Sequence, residues 1–219
     1  MTRLHIAFLI LAPALAATAL AGTARIDGVQ AGAVPRVVAA AEGLAEDIQA
    51  DLDTLGWQAA RAKLAELQLN RTLLRAAVPA LKAVRYETAL DSLTAQIARH
   101  DRAAALSSAN QLSRVLLTIT ADYDLIVPVQ VGYLDVAGRD AIYGAATRRW
   151  QDAAGAAAEL RANYAIVRAH VAAKDRTLDQ RVQRRLSELD GAVAAKNTVR
   201  VKAIATTLLD DVDLVEQTY

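Results

Sequence analysis

The densest cluster of chemically versatile side chains in this sequence is aromatic. Tyr123, Tyr133, Tyr143 and Trp150 surround a β-branched stretch, Asp124 to Tyr133 (DLIVPVQVGY), and Tyr164 follows farther along. Tyrosine and tryptophan join an apolar body to a polar tip, so they suit a ligand pocket or the seam between two packed halves. These five are the expected binding residues; for the tyrosines, packing between halves is the simpler role. Trp57 and Trp150 are also expected to anchor cores near the starts of two helices.

Carboxylates form the second group. Glu42, Glu46, Asp47, Asp51 and Asp53 fall on one predicted helix, and Asp210, Asp211, Asp213 and Glu216 on another. Oxygen-rich faces hold divalent cations when a Gly-punctuated loop and backbone carbonyls complete the cage. The sequence has no such loop, so a solvated face is expected, or contact with basic residues such as Lys174, Arg181, Arg184 and Arg185. No metal site is assigned. His100 and His170 lack a partner at ligand spacing, and H-E-x-x-H is missing.

Catalytic signatures are missing too: no G-x-S-x-G, no S-x-x-K, no phosphate loop and no cysteine. No catalytic residue and no cofactor are expected, and the chain reads as a non-enzyme. A formal charge of +1 gives no broad footprint for nucleic acid.

Residues 1–21 read as an address. Arg3 precedes an apolar run from Ile6 to about Ala17, and Ala19-Leu20-Ala21 has the small-x-small form of a cleavage site. The run is shorter than a membrane span and contains Pro13. A secretory signal cleaved after Ala21 is expected, giving a periplasmic or secreted protein with no membrane span in the mature chain. Cleavage leaves 24 of the 25 basic residues against 24 acidic ones, so the mature protein is neutral.

The elements that must position these residues are helical. The chain of 219 residues is 54% hydrophobic but 4% aromatic, and alanine supplies about 50 residues. Alanine is the best helix former and is depleted in strands. A shift of 93 positions lays Trp57–Val78 over Trp150–Val171, matching Gln58 with Gln151, Glu66 with Glu159, Asn70 with Asn163 and Arg75 with Arg168. Val34-Pro35 meets Val127-Pro128 and Asp47 meets Asp140 at the same shift; beyond Val78 a shift of 96 pairs Leu112 with Leu208 and Tyr123 with Tyr219. Internal similarity of this length marks a tandem duplication.

Two related helical-bundle repeats are therefore expected, residues 34–123 and 127–219, with about seven or eight helices. A flexible leader (22–33) precedes them and a short extended connector (124–133) joins them. Helical periodicity supports each unit: Ala105, Ala109, Leu112, Leu116, Ile119 and Tyr123 step by fours and threes, as do Val201, Ala205, Leu208, Val212, Val215 and Tyr219. Asp101 and Asn197 are expected N-caps. The repeated polar residues are expected to build equivalent networks in each unit. The functional expectation is an exported, non-catalytic binding or interaction protein whose partner is a periplasmic or envelope protein. A carrier of a small ligand or divalent cation, using the tyrosines or the acidic faces, is the alternative.

Overall fold

The computed structural model describes residues 32–219, so the expected signal segment and most of the leader lie outside the described residues. Among the described residues the protein is all-helical, with no strand. The helices are α1 (Arg36–Asp53), α2 (Trp57–Leu69), α3 (Arg71–Ala77), α4 (Ala80–Ala98), α5 (Arg102–Thr120), α6 (Val129–Ala146), α7 (Trp150–Lys174), α8 (Arg176–Ala194) and α9 (Thr198–Glu216).

Local chemistry sets the ends. Pro35, Pro79 and Pro128 each stand immediately before a helix, where a fixed φ is pre-organised and no amide bond is lost. Asp101, Asp175 and Asn197 cap α5, α8 and α9: their side chains accept from amides of the first turn, as at Ala104, Leu178 and Arg200. Four helix–helix turns close with a non-glycine residue in the left-handed region: Leu55, His100, Arg148 and Lys196, with φ of 61°, 54°, 59° and 52°. Each is followed by an amide that reaches back to a carbonyl five residues earlier: Gly56 to Asp51, Asp101 to Gln96, Arg149 to Gly144 and Asn197 to Ala192.

Two boundaries depart from the sequence-based expectation. The extended connector does not reach Tyr133: only Asp124–Pro128 are non-helical, and α6 starts at Val129. Val131, Leu134 and Ala137 recur at helical spacing and are buried, and that burial outweighs the weak helix propensity of the valines. The other is Trp57–Val78, expected as one helix but interrupted at Asn70, which brings the helices to nine among the described residues. Pro79 then drives Val78 into an extended conformation (φ −126°, ψ 159°) and stops α3 after seven residues. The corresponding stretch of α7 has no proline and runs on to Lys174.

There are two hydrophobic cores. One is built by α1 to α5, with Ile48, Leu67, Tyr86, Leu93, Leu112 and Leu116 at its centre; the other by α6 to α9, around Leu160, Tyr164, Val171, Leu189, Val201 and Leu208. α1 packs on α2 and α5, and α4 on α5; α6 packs on α7 and α9, and α8 on both of these. The two groups meet where α5 lies against α6. Trp57 and Trp150 are half-buried at the margins of their cores rather than central to them.

α6 approaches three neighbours closely through glycines. A Cβ at Gly132 would stand 2.5 Å from Leu117 of α5, one at Gly138 2.6 Å from Leu209 of α9, and one at Gly144 2.9 Å from the Ala153 backbone nitrogen of α7.

Candidate functional site: the cleft where α5 meets α6 and α7

Polar side chains concentrate on the seam between the two cores. Arg114 of α5 donates from Nη2 to Asp140 of α6 at 2.8 Å and to Glu159 of α7 at 2.9 Å, with Nη1 also on Glu159. Burial works against the guanidinium charge, but the bonds to Glu159 and Asp140 outweigh it and hold Arg114 more firmly protonated than usual. Asn110, fully buried, donates to the Val136 carbonyl at 2.9 Å and to Asp140 at 2.7 Å.

A second strand of this network runs to α1. The Gln49 amide donates to Ser113 of α5 at 3.1 Å, and the Tyr143 hydroxyl of α6 points at the Gln49 carbonyl oxygen at 3.5 Å. Burial raises the Tyr143 phenol well above its usual range, so it stays a donor at any physiological pH. Thr118 of α5 and Tyr133 of α6 share a hydroxyl–hydroxyl bond of 3.2 Å.

A cleft of about 460 Å³ opens at this seam. Arg114, Asp140, Glu159 and Tyr143 line it, together with Arg149, Asp152 and Gly155, which are exposed. Arg149 and Asp152 pair at 3.3 Å and are both more than half exposed. A second hollow of about 530 Å³ surrounds Trp57 and Gln58 at the start of α2.

The five expected binding residues do not converge on one pocket. Tyr143 lines the cleft, and Tyr133 sits on the same α5–α6 seam. Tyr123 is buried against the first core and Tyr164 in the second, where its hydroxyl donates to Asp179 at 3.0 Å. Trp150 packs on the second core. The tyrosine roles thus divide between contacts joining the halves and packing within each.

The repeated polar residues do not form equivalent networks. Asp140 and Glu159 hold Arg114, whereas Asp47 pairs with Lys63, which Asp51 also engages. Arg168 binds Asp179, while its counterpart Arg75 is exposed. The expected meeting of acidic and basic faces is present at Asp211, 2% exposed, which takes both Arg181 and Arg185. His100 tilts against Trp57 with ring centres 5.0 Å apart, and His170 stacks on Tyr219 at 4.0 Å. Among the described residues no three His, Cys, Asp or Glu are grouped to hold a metal ion, and no helix is long and apolar enough to cross a membrane.

Arg114 is the residue sequence reasoning missed. Its partners lie 26 and 45 positions away, and no local spacing announces them. Comparison with protein families, with curated proteins and with solved structures finds no match for this chain.

Proposed function

We propose that this protein is an exported, non-catalytic helical binding protein, made from two copies of one helical unit, that receives a partner in the cleft between them. The observation carrying the binding reading is the cleft itself. Its half-buried charged groups are committed to one another, which fixes its shape, while Arg149 and Asp152 remain open to solvent. A rigid, polar, mixed-charge groove suits recognition of a polar segment of another envelope protein.

Duplication is supported by the helix boundaries. A shift of 93 carries α1 onto α6, and a shift of 96 carries α4 onto α8 and α5 onto α9, each at both ends. The left-handed residues follow the same shifts, Leu55 to Arg148 and His100 to Lys196. Superposing residues 34–123 on 127–219 tests this reading: matching helices and matching packing order support it, and a different packing order refutes it. Export rests on the pattern of residues 1–21, and an intact mass beginning at Gly22 in protein recovered from its source is the expected result.

The second reading is a small-ligand carrier, favoured by a cleft volume within the usual range for small-molecule sites. A thermal-shift screen separates the two. A carrier gains a saturable rise in Tm with its ligand, because binding to the folded state alone stabilises it. A protein-binding groove gives no such rise with small molecules and is blocked by a bulky side chain at Gly155, whose Cβ position is open.

A further inference from the structure

The four turns that close in the left-handed region all lie at one end of the molecule. Thr118 bonds Tyr133 while Asn110 bonds Asp140, so α5 and α6 run antiparallel and the start of α5 stands level with the end of α6. Arg102 of α5 donates to the Leu52 carbonyl at 2.6 Å and ties the α4–α5 turn to the α1–α2 turn. Thr198 of α9 donates to the Ala145 carbonyl at 3.1 Å and ties the α8–α9 turn to the α6–α7 turn.

This end is basic. Arg99, Arg148, Lys196, Arg200 and Lys202 are exposed, and none of them has a side-chain hydrogen bond or ion pair among the described residues. The acids nearby are already taken: Asp51, Asp53 and Asp152 pair with Lys63, Arg102 and Arg149, and Asp101 caps α5. Apolar side chains stand among these cations. Leu55 and Val199 are 65% and 79% exposed, and a shallow hollow opens at Leu55, Trp57, Ala59 and Ala62. The two tryptophans of the chain, Trp57 and Trp150, are half-buried at the first positions of α2 and α7, at this same end.

We propose that this end docks on the surface of an anionic phospholipid bilayer, with the helices standing end-on and none of them crossing it. Unpaired cations meet the headgroups, exposed aliphatic side chains enter the edge of the acyl layer, and tryptophans settle between the two. A soluble polyanion would use the cations but gain nothing from Leu55 and Val199. Arg148 and Lys196 hold left-handed backbone that glycine would adopt without strain, and a surface role for their side chains accounts for that cost. The docking goes beyond the cleft reading and does not depend on what the cleft holds.

Because both tryptophans stand at this end, their fluorescence reports the docking. Protein recovered from its source is mixed with vesicles of phosphatidylglycerol or of phosphatidylcholine, each with brominated acyl chains that quench tryptophan at the bilayer. Quenching is expected with phosphatidylglycerol alone and should weaken as salt is raised. Each basic residue near an anionic surface adds roughly fivefold to affinity, so Arg148→Gly/Lys196→Gly/Arg200→Ala should weaken binding about a hundredfold. The two glycines relieve left-handed backbone and none of the three changes breaks a side-chain contact, so the fold is kept. Arg75→Ala/Lys174→Ala/Arg176→Ala removes equal charge from exposed positions at the opposite end and should weaken binding far less. Equal losses in the two triple variants overturn the proposal, as does pelleting with the vesicles without quenching, which would place another face on the lipid. Absence of binding to phosphatidylglycerol overturns it too, and retention on heparin would then assign the basic end to a soluble acidic partner.

Discussion

Arg114 on α5 reaches Asp140 on α6 across the boundary between two hydrophobic cores, with 2.8 Å between Nη2 and Oδ2. The pair is about three-quarters buried on the arginine side, and Glu159 completes it from α7. Arg114→Ala leaves two partly buried carboxylates without their cation. The expected cost is about 1.5–3 kcal/mol in urea-induced unfolding, in keeping with charge-assisted hydrogen bonds. Asp140→Asn should cost less, since the amide oxygen still accepts from Arg114 and only the bond from Asn110 is lost. A full loss at Arg114→Ala with none at Asp140→Asn would show that Arg114 acts through packing of its alkyl chain instead.

The glycines of α6 differ in what they face. A Cβ at Gly144 meets the backbone of Ala153, which cannot rotate away, whereas one at Gly132 meets the end of the Leu117 side chain, which can. Gly144→Ala is expected to destabilise by about 1–3 kcal/mol, as overpacking does, and Gly132→Ala by less. Thermal denaturation of the two variants side by side checks the order.

Left-handed backbone at a residue with a Cβ is costly, and glycine relieves it. Arg148→Gly and Lys196→Gly should each stabilise the fold by about 0.5–1 kcal/mol, once the greater freedom of glycine in the unfolded chain is set against the strain removed. His100→Gly should not, because His100 also packs on Trp57 and bonds Arg61. A fall in Tm for Lys196→Gly would contradict the strain argument.

Glu42 and Glu46 make stability depend on pH. Both are raised in the folded state, by desolvation first and then by the negative charge of Asp135 and Glu216, so their contribution is fully present below about 4.5 and is lost as pH rises through 7 and 8. Between pH 6 and 8.5 the Tm should fall, and Glu42→Gln/Glu46→Gln should flatten that slope. An unchanged slope would assign the pH dependence to other groups.

Much of the fold is legible in the amino-acid sequence because its determinants are local. Leucines and alanines at steps of three and four give the inward faces of α5 and α9, and Asp101 and Asn197 cap those helices as expected. The start of α6 was harder to read: Val127, Val129 and Val131 around Pro128 look extended until the core that buries Val131 is known. Asn70 marks no obvious stop, since its counterpart Asn163 sits inside α7. The cleft was legible only through Tyr143. Gln49 lies 94 positions away and Arg114 is joined to α6 and α7 by tertiary contact, so neither has a local signature.

The proposal that the cleft is the binding surface is tested most directly by native mass spectrometry of protein isolated from its source. Three forms are compared: the unmodified chain, Gly155→Trp at the cleft and Gly191→Trp on α8. Both glycines lie in helices with open space at Cβ, so either tryptophan fits without a clash at its base. The account predicts one bound species retained by the unmodified chain and by Gly191→Trp but lost from Gly155→Trp. Equal retention by all three would contradict it.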